Sequence, residues 1–136
     1  MKLTTALNCY RHSVERNAIY HKVFYSAKKV IKEQMKNNHL KPHTWGIIVD
    51  IDEPLLDNFI SFQYGKADLT ELEQIIFFTT PSAKKFIESI RELGGVVNLV
   101  TNRSIARQKE TIAKLKSSPI FFDQILFSNK NLVLLA

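Results

Sequence analysis

The sequence lacks the features that mark disulfide-rich, membrane-spanning and exported proteins. Its single cysteine, Cys9, rules out an internal disulfide framework and a thiolate-rich zinc site. No apolar run approaches the ~20 residues that cross a bilayer. The apolar segment before Cys9 covers only residues 3–7, which is shorter than the roughly 7–15 residues of an export signal. As written, the sequence therefore predicts a cytoplasmic protein without a transmembrane segment.

Acidic residues are scarce in the first third of the chain. Residues 1–42 contain nine lysines and arginines against only two acids, a net charge of +7, whereas the remaining 94 residues carry −1. The overall charge of +6 therefore comes from one segment. The composition is otherwise that of a globular domain, with 45% apolar and 24% charged residues. A length of 136 residues suits one domain with a real core, but it is small for a complete doubly wound enzyme.

The basic segment contains a predicted amphipathic helix over residues 14–36. Ser13 is suited to cap its N-terminus, and Asn37-Asn38 is suited to end it. Apolar residues follow the helical period on one face, and lysines lie on the opposite face. The predicted apolar face comprises Ile19, Val23, Ala27, Val30, Ile31 and Met35, widened by Tyr20 and Phe24, and the basic face comprises Lys22, Lys28, Lys29, Lys32 and Lys36.

Downstream, predicted strands alternate with predicted helices, which is typical of a parallel sheet with right-handed crossovers. The strands cover residues 45–51, 96–100 and 124–128, and the helices cover residues 70–78, 80–93 and 104–116. Thr80 is the expected N-cap of the second of these helices, and Gly94-Gly95 its end. Residues 132–135 follow the last strand too closely for a parallel neighbour, so a hairpin or an apolar tail is expected there. The predicted fold class is α/β.

The first predicted strand ends in two carboxylates. Residues 45–49 form a continuous apolar run, typical of a strand buried on both faces of a parallel sheet. Asp50 and Asp52 follow at its carboxyl end, where open α/β sheets bind their ligands, and side-chain alternation predicts that both point the same way. Close like charges split their pKa values, so that one carboxylate is ionised while the other carries a proton. On these residues alone, an acidic surface turn explains the pair equally well.

Four segments form an ordered set of motifs: Tyr10–Lys28, Asp50–Asn58, Thr80–Phe86 and Asn98–Arg103. The second, Asp-Ile-Asp-Glu-Pro-Leu-Leu-Asp-Asn, resembles motif I of the haloacid dehalogenase-like superfamily, in the form found in the lipoprotein-type (class C, subfamily IIIB) acid phosphatases. The first resembles the N-terminal helix of that family, the third its Leu-Pro-Gly-Ala helix start, and the fourth its motif II.

This resemblance implies a Mg²⁺-dependent phosphomonoesterase. Asp50 would be the nucleophile that forms an aspartyl-phosphate, and Asp52 would protonate the leaving group and later deprotonate the hydrolytic water. Thr101 and Asn102 would bind phosphoryl oxygens, and Mg²⁺ would bind Asp50 and the backbone carbonyl of Asp52. The substrate would be a small phosphomonoester, a nucleotide among the candidates. Residues that would contact it are Asp57, Asn58, Phe59 and Tyr64.

The resemblance also implies how a single, apparently incomplete domain of residues 1–136 is organised. The core is a partial doubly wound (Rossmann-like) parallel sheet, with an N-terminal helix and a small cap insertion. The parts are the basic helix at 14–37, the motif I strand and loop at 45–58, the small cap at 59–79, the core with motif II at 80–128, and an apolar tail at 129–136.

The sequence departs from the family pattern at several places, among them Ser82, which replaces the glycine of the Leu-Pro-Gly-Ala helix start. Pro54 stands where the family usually has threonine, which removes an N–H and a hydroxyl beside the nucleophile and is expected to loosen the loop. After Ser128 the sequence shows neither the motif III lysine nor the motif IV carboxylate pair, and Lys130 lies too close to the strand end to serve as that lysine. The strand at 45–51 is then expected to have an uncovered edge, open to self-association.

Two alternatives to an active phosphatase follow from these features. The chain would be a catalytically inactive phosphatase remnant if the missing motifs are indispensable. It would be a binding module if residues 14–36 contact nucleic acid or a membrane, although a solvated basic face explains this helix better and nucleic acid is not the expected partner. Relatives of this family are usually exported or lipid-anchored, unlike the cytoplasmic protein expected from the sequence as written.

Overall fold

The computed structural model describes residues 5–6, 9–10, 13–57, 78–128 and 132–134. Its helices are α1 (Val14–Asn37), α2 (Ala83–Glu92) and α3 (Gln108–Ser117), the last preceded by a 3₁₀ turn at Ile105–Arg107. Its strands are β1 (Gly46–Asp50), β2 (Leu56–Asp57), β3 (Phe78–Thr79), β4 (Val96–Val100), β5 (Gln124–Leu126) and β6 (Leu132–Leu134). Most of the helix predicted at 70–78 lies outside the described residues, and its last residue, Phe78, begins β3.

The main sheet has four strands in the order β1-β4-β5-β6. β1, β4 and β5 are parallel, and Ile48 pairs with Asn98, which in turn pairs with Gln124. β6 runs antiparallel to β5, so of the two arrangements expected for residues 132–135 the hairpin is correct. β2 and β3 form a separate antiparallel pair, which joins the chain on either side of residues 58–77. This is a partial α/β fold of the Rossmann type, as the sequence predicts.

One face of the main sheet carries the core. Its side chains include Val97, Leu99 and Ile125, each at most 1% exposed, and they pack in one cluster with residues of α2 and α3. The strand order moves in one direction from β1 to β4 to β5, so right-handed crossovers place α2 and α3 on the same face.

The opposite face of the sheet is partly uncovered. Ile48, whose side chain alternates with those of the core residues on β1, is 74% exposed, and Leu126 on β5 is 39% exposed. The prediction that residues 45–49 are buried on both faces is therefore wrong. β1 also lies at one edge of the described sheet.

The ends of α1 confirm the predicted caps. The side chain of Ser13 accepts a hydrogen bond from the backbone N–H of Arg16 at 3.1 Å. Asn38 closes the helix through its backbone N–H and its side-chain amide, both of which donate to the carbonyl of Gln34. None of the helices in the described part of the chain is long and apolar enough to span a membrane.

Only part of the predicted apolar face of α1 is buried against the core. Phe24 stacks on Phe86 of α2, with ring centroids 4.9 Å apart, and Ala27 and Ile31 also pack against the core. The other predicted members Ile19, Val23 and Val30 are 54%, 59% and 55% exposed. Because α1 packs on α2 along one side only, it buries a narrower stripe than its apolar residues span.

The start of α2 differs from the prediction, although its end does not. Ser82, in the left-handed region at φ +66°, is the N-cap, and Thr80 is not. Thr80 is 1% exposed, and its hydroxyl and N–H donate to the carbonyls of Pro54 and Leu55. Tertiary contact with the loop after β1 therefore overrides its capping preference. Gly94, at φ +80°, follows the helix as predicted.

Glu110 on α3 is expected to make folding stability depend on pH in the acid range. Hydrogen bonding from Arg107, with further help from Lys114, lowers the pKa of its carboxyl from 4.5 to about 2. The unfolded chain therefore takes up this proton at higher pH than the folded chain, so the contribution is complete above about pH 4.5 and is lost as the pH falls towards 2. The side chains of Arg107 and Glu110 are both over 40% exposed, and solvent weakens their interaction. We therefore expect Glu110 to contribute less than ~1 kcal/mol to the free energy of unfolding.

Urea unfolding of the wild type and Glu110→Gln measures this contribution. The wild type should be more stable at about pH 6, and the difference should shrink at about pH 3. A difference of the same size at both pH values would show that the ion pairs of Glu110 do not contribute through its charge.

Candidate active site

The carboxyl ends of β1, β4 and β5 surround an open cleft of about 350 Å³. Asp50, the last residue of β1, lines it together with Thr101 and Asn102, which follow β4. Val100 and residues 126–128 complete the wall. Parallel strands that end at the same edge bring these residues together, and open α/β sheets bind their ligands at this edge.

Asp50 presents an exposed carboxylate in this cleft. Its backbone is fixed by the pairing of β1 with β4, where it lies opposite Val100. Its Oδ1 atom accepts a hydrogen bond from the N–H of Ile51 at 2.8 Å, which limits rotation of the side chain. An oriented, solvent-accessible carboxylate at a strand end is suited to act as a nucleophile.

Asp52 is held by a buried arginine. Arg103 donates from Nη2 to Oδ1 of Asp52 at 2.7 Å, and from Nε to Oδ1 and Oδ2 at 3.1 and 3.2 Å. The Arg103 side chain is 7% exposed and that of Asp52 is 30% exposed. Such a bidentate pair fixes the plane of the carboxylate as well as its position. The sequence suggested a second carboxylate as the main electrostatic neighbour of Asp52, whereas a guanidinium contacts it directly.

Thr101 connects Asp52 to the cleft. Its hydroxyl donates to Oδ2 of Asp52 at 3.3 Å and accepts from the backbone N–H of Arg103 at 3.1 Å. Arg103 is held in turn by Thr111 of α3, whose hydroxyl lies 3.4 Å from Nη1. Motif II therefore supplies both a residue of the cleft wall and the partner of Asp52.

The loop after β1 is compact. The N–H groups of Leu55 and Leu56 both donate to the carbonyl of Ile51, at 3.2 and 3.0 Å, and all three residues are at most 2% exposed. The N–H of Glu53 donates to the carbonyl of Leu56 at 3.0 Å. The carbonyl of Pro54 accepts a hydrogen bond from the hydroxyl of Thr80, which anchors the turn; the expected loosening relative to a threonine at this position stays a prediction.

The structure does not place every predicted substrate contact at the cleft. Asp57 lies on β2, and its Oδ2 atom is 3.1 Å from Nη2 of Arg16 on α1. The side chains of Asp57 and Arg16 are 5% and 8% exposed. The other predicted contacts Asn58, Phe59 and Tyr64 lie outside the described residues.

Comparison with models of protein families identifies the family of the chain. The model of the HAD superfamily, subfamily IIIB (acid phosphatase), matches residues 2–135, which is nearly the whole sequence. The chain belongs to this acid phosphatase family. The match confirms the resemblance that the four sequence motifs carry.

Two solved structures of the class C acid phosphatase from Bacillus anthracis share the fold of this family member. The structure with tungstate bound has a TM-score of 0.71 and 19% identity, and the match covers 93% of this chain and 59% of that one. The other structure has a TM-score of 0.72 and 19% identity, covering 90% and 56%. At this identity the likeness concerns the fold alone. The chain spans less than two thirds of the length of either structure.

The acid phosphatase family implies a divalent metal, and the described residues include oxygen donors of the kind that such a metal prefers. The Asp50 carboxylate and the Asp52 backbone carbonyl are hard oxygen donors, which suit Mg²⁺. Within the described ranges, no group of three or more histidine, cysteine or acidic side chains is arranged to hold a metal ion. A divalent cation such as Mg²⁺ commonly takes only one or two carboxylates and completes its shell with water and phosphate oxygens, so the chemistry of these donors is compatible with one.

Proposed function

We propose that this chain hydrolyses small phosphomonoesters through an aspartyl-phosphate on Asp50, in a Mg²⁺-dependent reaction. The observation that supports the proposal is the meeting of Asp50, Thr101 and Asn102 in one cleft. Asp52 lies next to this cleft, in contact with Thr101. A carboxylate nucleophile, polar groups for the phosphoryl oxygens and a second carboxylate for proton transfer are the parts that this reaction needs.

In the first step, a carboxylate oxygen of Asp50 attacks phosphorus, and the bond from phosphorus to the ester oxygen breaks. A proton from Asp52 passes to the leaving oxygen, which departs as an alcohol. The amide of Asn102 orients one phosphoryl oxygen, and the hydroxyl of Thr101 orients another once the proton that it donates to Oδ2 of Asp52 turns towards the substrate. When bound by Asp50 and the Asp52 carbonyl, Mg²⁺ would neutralise charge on the phosphoryl group.

In the second step, Asp52 takes a proton from water, whose oxygen attacks phosphorus and releases phosphate and the Asp50 carboxylate. We assign this proton to Oδ2 of Asp52, whose two longer hydrogen bonds have to open to admit it. Oδ1 receives the shortest bond from Arg103, at 2.7 Å, whereas the contacts of Oδ2 with Arg103 and Thr101 are 3.2 and 3.3 Å.

The test is to trap the covalent intermediate. The protein is mixed with p-nitrophenyl phosphate at mildly acidic pH, and the reaction is quenched in acid. After digestion, the mass of the peptide that contains Asp50 is measured by mass spectrometry. We expect turnover that requires Mg²⁺ and a mass gain of one phosphoryl group on that peptide. The absence of both turnover and phosphoryl group would overturn the proposal and favour a catalytically inactive remnant.

The size of the cleft supports a small substrate. Its volume of about 350 Å³ lies near the lower limit of ligand sites, which run from roughly 300 to 1,000 Å³. A nucleoside monophosphate is the largest substrate that we include in the proposal. Comparing kcat/KM for a nucleoside monophosphate and for p-nitrophenyl phosphate decides whether a base adds recognition.

We also propose that a second copy of the chain pairs with the edge of β1. Ile48 lies at the middle of this edge strand and is 74% exposed. Antiparallel pairing of two β1 strands about Ile48 places Gly46 of one copy opposite Asp50 of the other, so the small residue leaves room for the charged one. The pairing is self-complementary, as a two-fold interface requires.

Sedimentation over a range of concentrations tests the pairing of β1. The wild type should associate as concentration rises, and Ile48→Lys should remain a monomer because charge on an edge strand opposes pairing. Val30→Lys on α1 is the matched control, since Val30 is also an exposed apolar residue but belongs to a helix and not to the sheet. A monomeric wild type at every concentration, or equal association of both variants, would contradict the proposed pairing.

A further inference from the structure

Helix α1 contacts the loop of residues 51–57, which follows β1, through a buried ion pair. Arg16 is only 6% exposed, which is unusual for a charged residue unless it is paired. Its Nη2 atom lies 3.1 Å from Oδ2 of Asp57, at the end of the loop that begins after Asp50. These two residues are 41 positions apart in the chain, so the pair joins the N-terminal helix to the site by a tertiary contact.

A second contact is made one turn further along α1. The hydroxyl of Tyr20 donates to the backbone carbonyl of Glu53 at 3.1 Å. The guanidinium of Arg16 lies over the Tyr20 ring, 4.9 Å from its centroid, so the two side chains support each other. Burial raises the pKa of the Tyr20 phenol above its usual value of 10, and Tyr20 therefore remains a donor at acidic and neutral pH.

Glu53 is a sensitive point of the loop. It follows Asp52 directly and has φ +72°, a left-handed conformation that costs free energy for any residue except glycine. This φ angle sets the orientation of the peptide between Asp52 and Glu53, and hence of the Asp52 backbone carbonyl. Tyr20 contacts the next peptide, between Glu53 and Pro54, through the carbonyl oxygen of Glu53. This hydrogen bond opposes relaxation of Glu53 to an extended conformation.

We infer that Arg16 and Tyr20 are positioning residues, which hold the loop so that Asp52 stays aligned with the cleft. Neither residue is among the described residues that line the cleft, and their hydrogen bonds reach the loop at Asp57 and Glu53, so each would act through these two residues. The inference rests on the proposed function, because Asp52 matters as a proton carrier only if the chain is a phosphatase. A purely structural role would stabilise the fold without affecting the rate of the folded protein.

Tyr20→Phe is the sharpest test, because it removes one hydroxyl and keeps the ring. We expect kcat for p-nitrophenyl phosphate to fall about tenfold with little change in KM, since a small misplacement of a catalytic group has a large effect on rate. Tyr25→Phe is the matched control, because Tyr25 is on the same helix and 65% exposed. A kcat of the wild-type value in Tyr20→Phe, measured below its melting temperature, would overturn the inference and leave the proposed function intact.

Arg16→Lys and Arg16→Met separate charge from geometry. Arg16→Lys keeps a cation beside Asp57 and should retain more of kcat than Arg16→Met, although less than the wild type. Equal rates in Arg16→Lys, Arg16→Met and the wild type would overturn the part of the inference that concerns Arg16. If Arg16→Met does not fold, the comparison of Arg16→Lys with the wild type decides.

Hydrogen exchange gives a readout that does not need turnover. The N–H groups of Glu53, Leu55 and Leu56 close the loop, and we expect them to exchange about tenfold faster in Tyr20→Phe than in the wild type. Tyr25→Phe should leave them unchanged. An inactive wild type would overturn the proposed function and the catalytic consequence of the positioning, whereas unchanged exchange in Tyr20→Phe would show that Tyr20 does not hold the loop, whatever the activity.

Discussion

Asp50→Asn is expected to lower the rate of p-nitrophenyl phosphate hydrolysis by at least about 10³-fold, the scale on which loss of a nucleophile acts. The neutral amide is a poor nucleophile, and its negative charge is lost where Mg²⁺ would bind. The fold should be unaffected, because Asp50 is exposed at the end of β1 and the amide oxygen can still accept from the N–H of Ile51. The measurement is kcat at saturating Mg²⁺, together with the melting temperature.

The control for this substitution is Glu88→Gln, which also replaces an exposed carboxylate by an amide. Glu88 lies on α2, and within the described ranges it forms only an exposed pair with Lys84 at 3.7 Å, so its removal should change neither rate nor melting temperature. Equal rates in the wild type, Glu88→Gln and Asp50→Asn would mean that a contaminating phosphatase produces the signal. A loss of less than tenfold that persists after repurification would show that Asp50 is not the nucleophile.

The three parallel strands β1, β4 and β5 and the three helices were predictable because the chain repeats local patterns, whereas the short strands β2 and β3 were not predicted. Val97 and Leu99 alternate with partly exposed neighbours along β4, and the stripe of Phe86, Ile87 and Ile90 follows the period of α2. These signals depend on residues close in sequence. The meeting of Asp50 and Thr101 was also predictable, because parallel strands end at a common edge.

The uncovered sheet face was not predictable from the apolar run at residues 45–49. A strand buried on one face and a strand buried on both can have the same residues, because the difference depends on where the crossover helices pack. The same limit applies to Ile19, Val23 and Val30 on α1, which are apolar although the helix has no neighbour on that side within the described structure. Burial on a particular face is a property of the assembled domain and not of the segment.

The ion pairs of the site were missed for a related reason. Arg103 and Asp52 are 51 positions apart, and Arg16 and Asp57 are 41 apart. The pairing of charged residues so far apart in the sequence depends on how helices and strands pack together. The local residue pattern does not encode that packing. Arg103 nevertheless had a usable signal in the sequence. It lies two residues after Thr101 at the end of β4, and this strand end lies beside the end of β1, which is followed by the two carboxylates.

Arg103→Met is expected to have the second-largest effect, on both folding and catalysis. The substitution removes three hydrogen bonds from a guanidinium to Asp52 and leaves the volume of the site nearly unchanged. Breaking a buried pair by removing one partner costs about 3–5 kcal/mol, and the 30% exposure of the Asp52 side chain places this case at the lower end. We expect kcat to fall on the order of 10²-fold, because Asp52 then loses the alignment that proton transfer requires.

Arg103→Lys separates charge from geometry at this pair. A lysine keeps the positive charge but cannot form the bidentate contact, so its stability and kcat should both lie between those of the wild type and Arg103→Met. A double-mutant cycle with Asp52→Asn, measured by urea unfolding, then isolates the coupling between the two side chains. If the effects of Arg103→Met and Asp52→Asn add without coupling, Arg103 stabilises the core through Thr111 and packing rather than through Asp52. A coupling above about 1 kcal/mol, together with a loss of kcat in both single variants, would establish the pair as the device that orients the proton carrier.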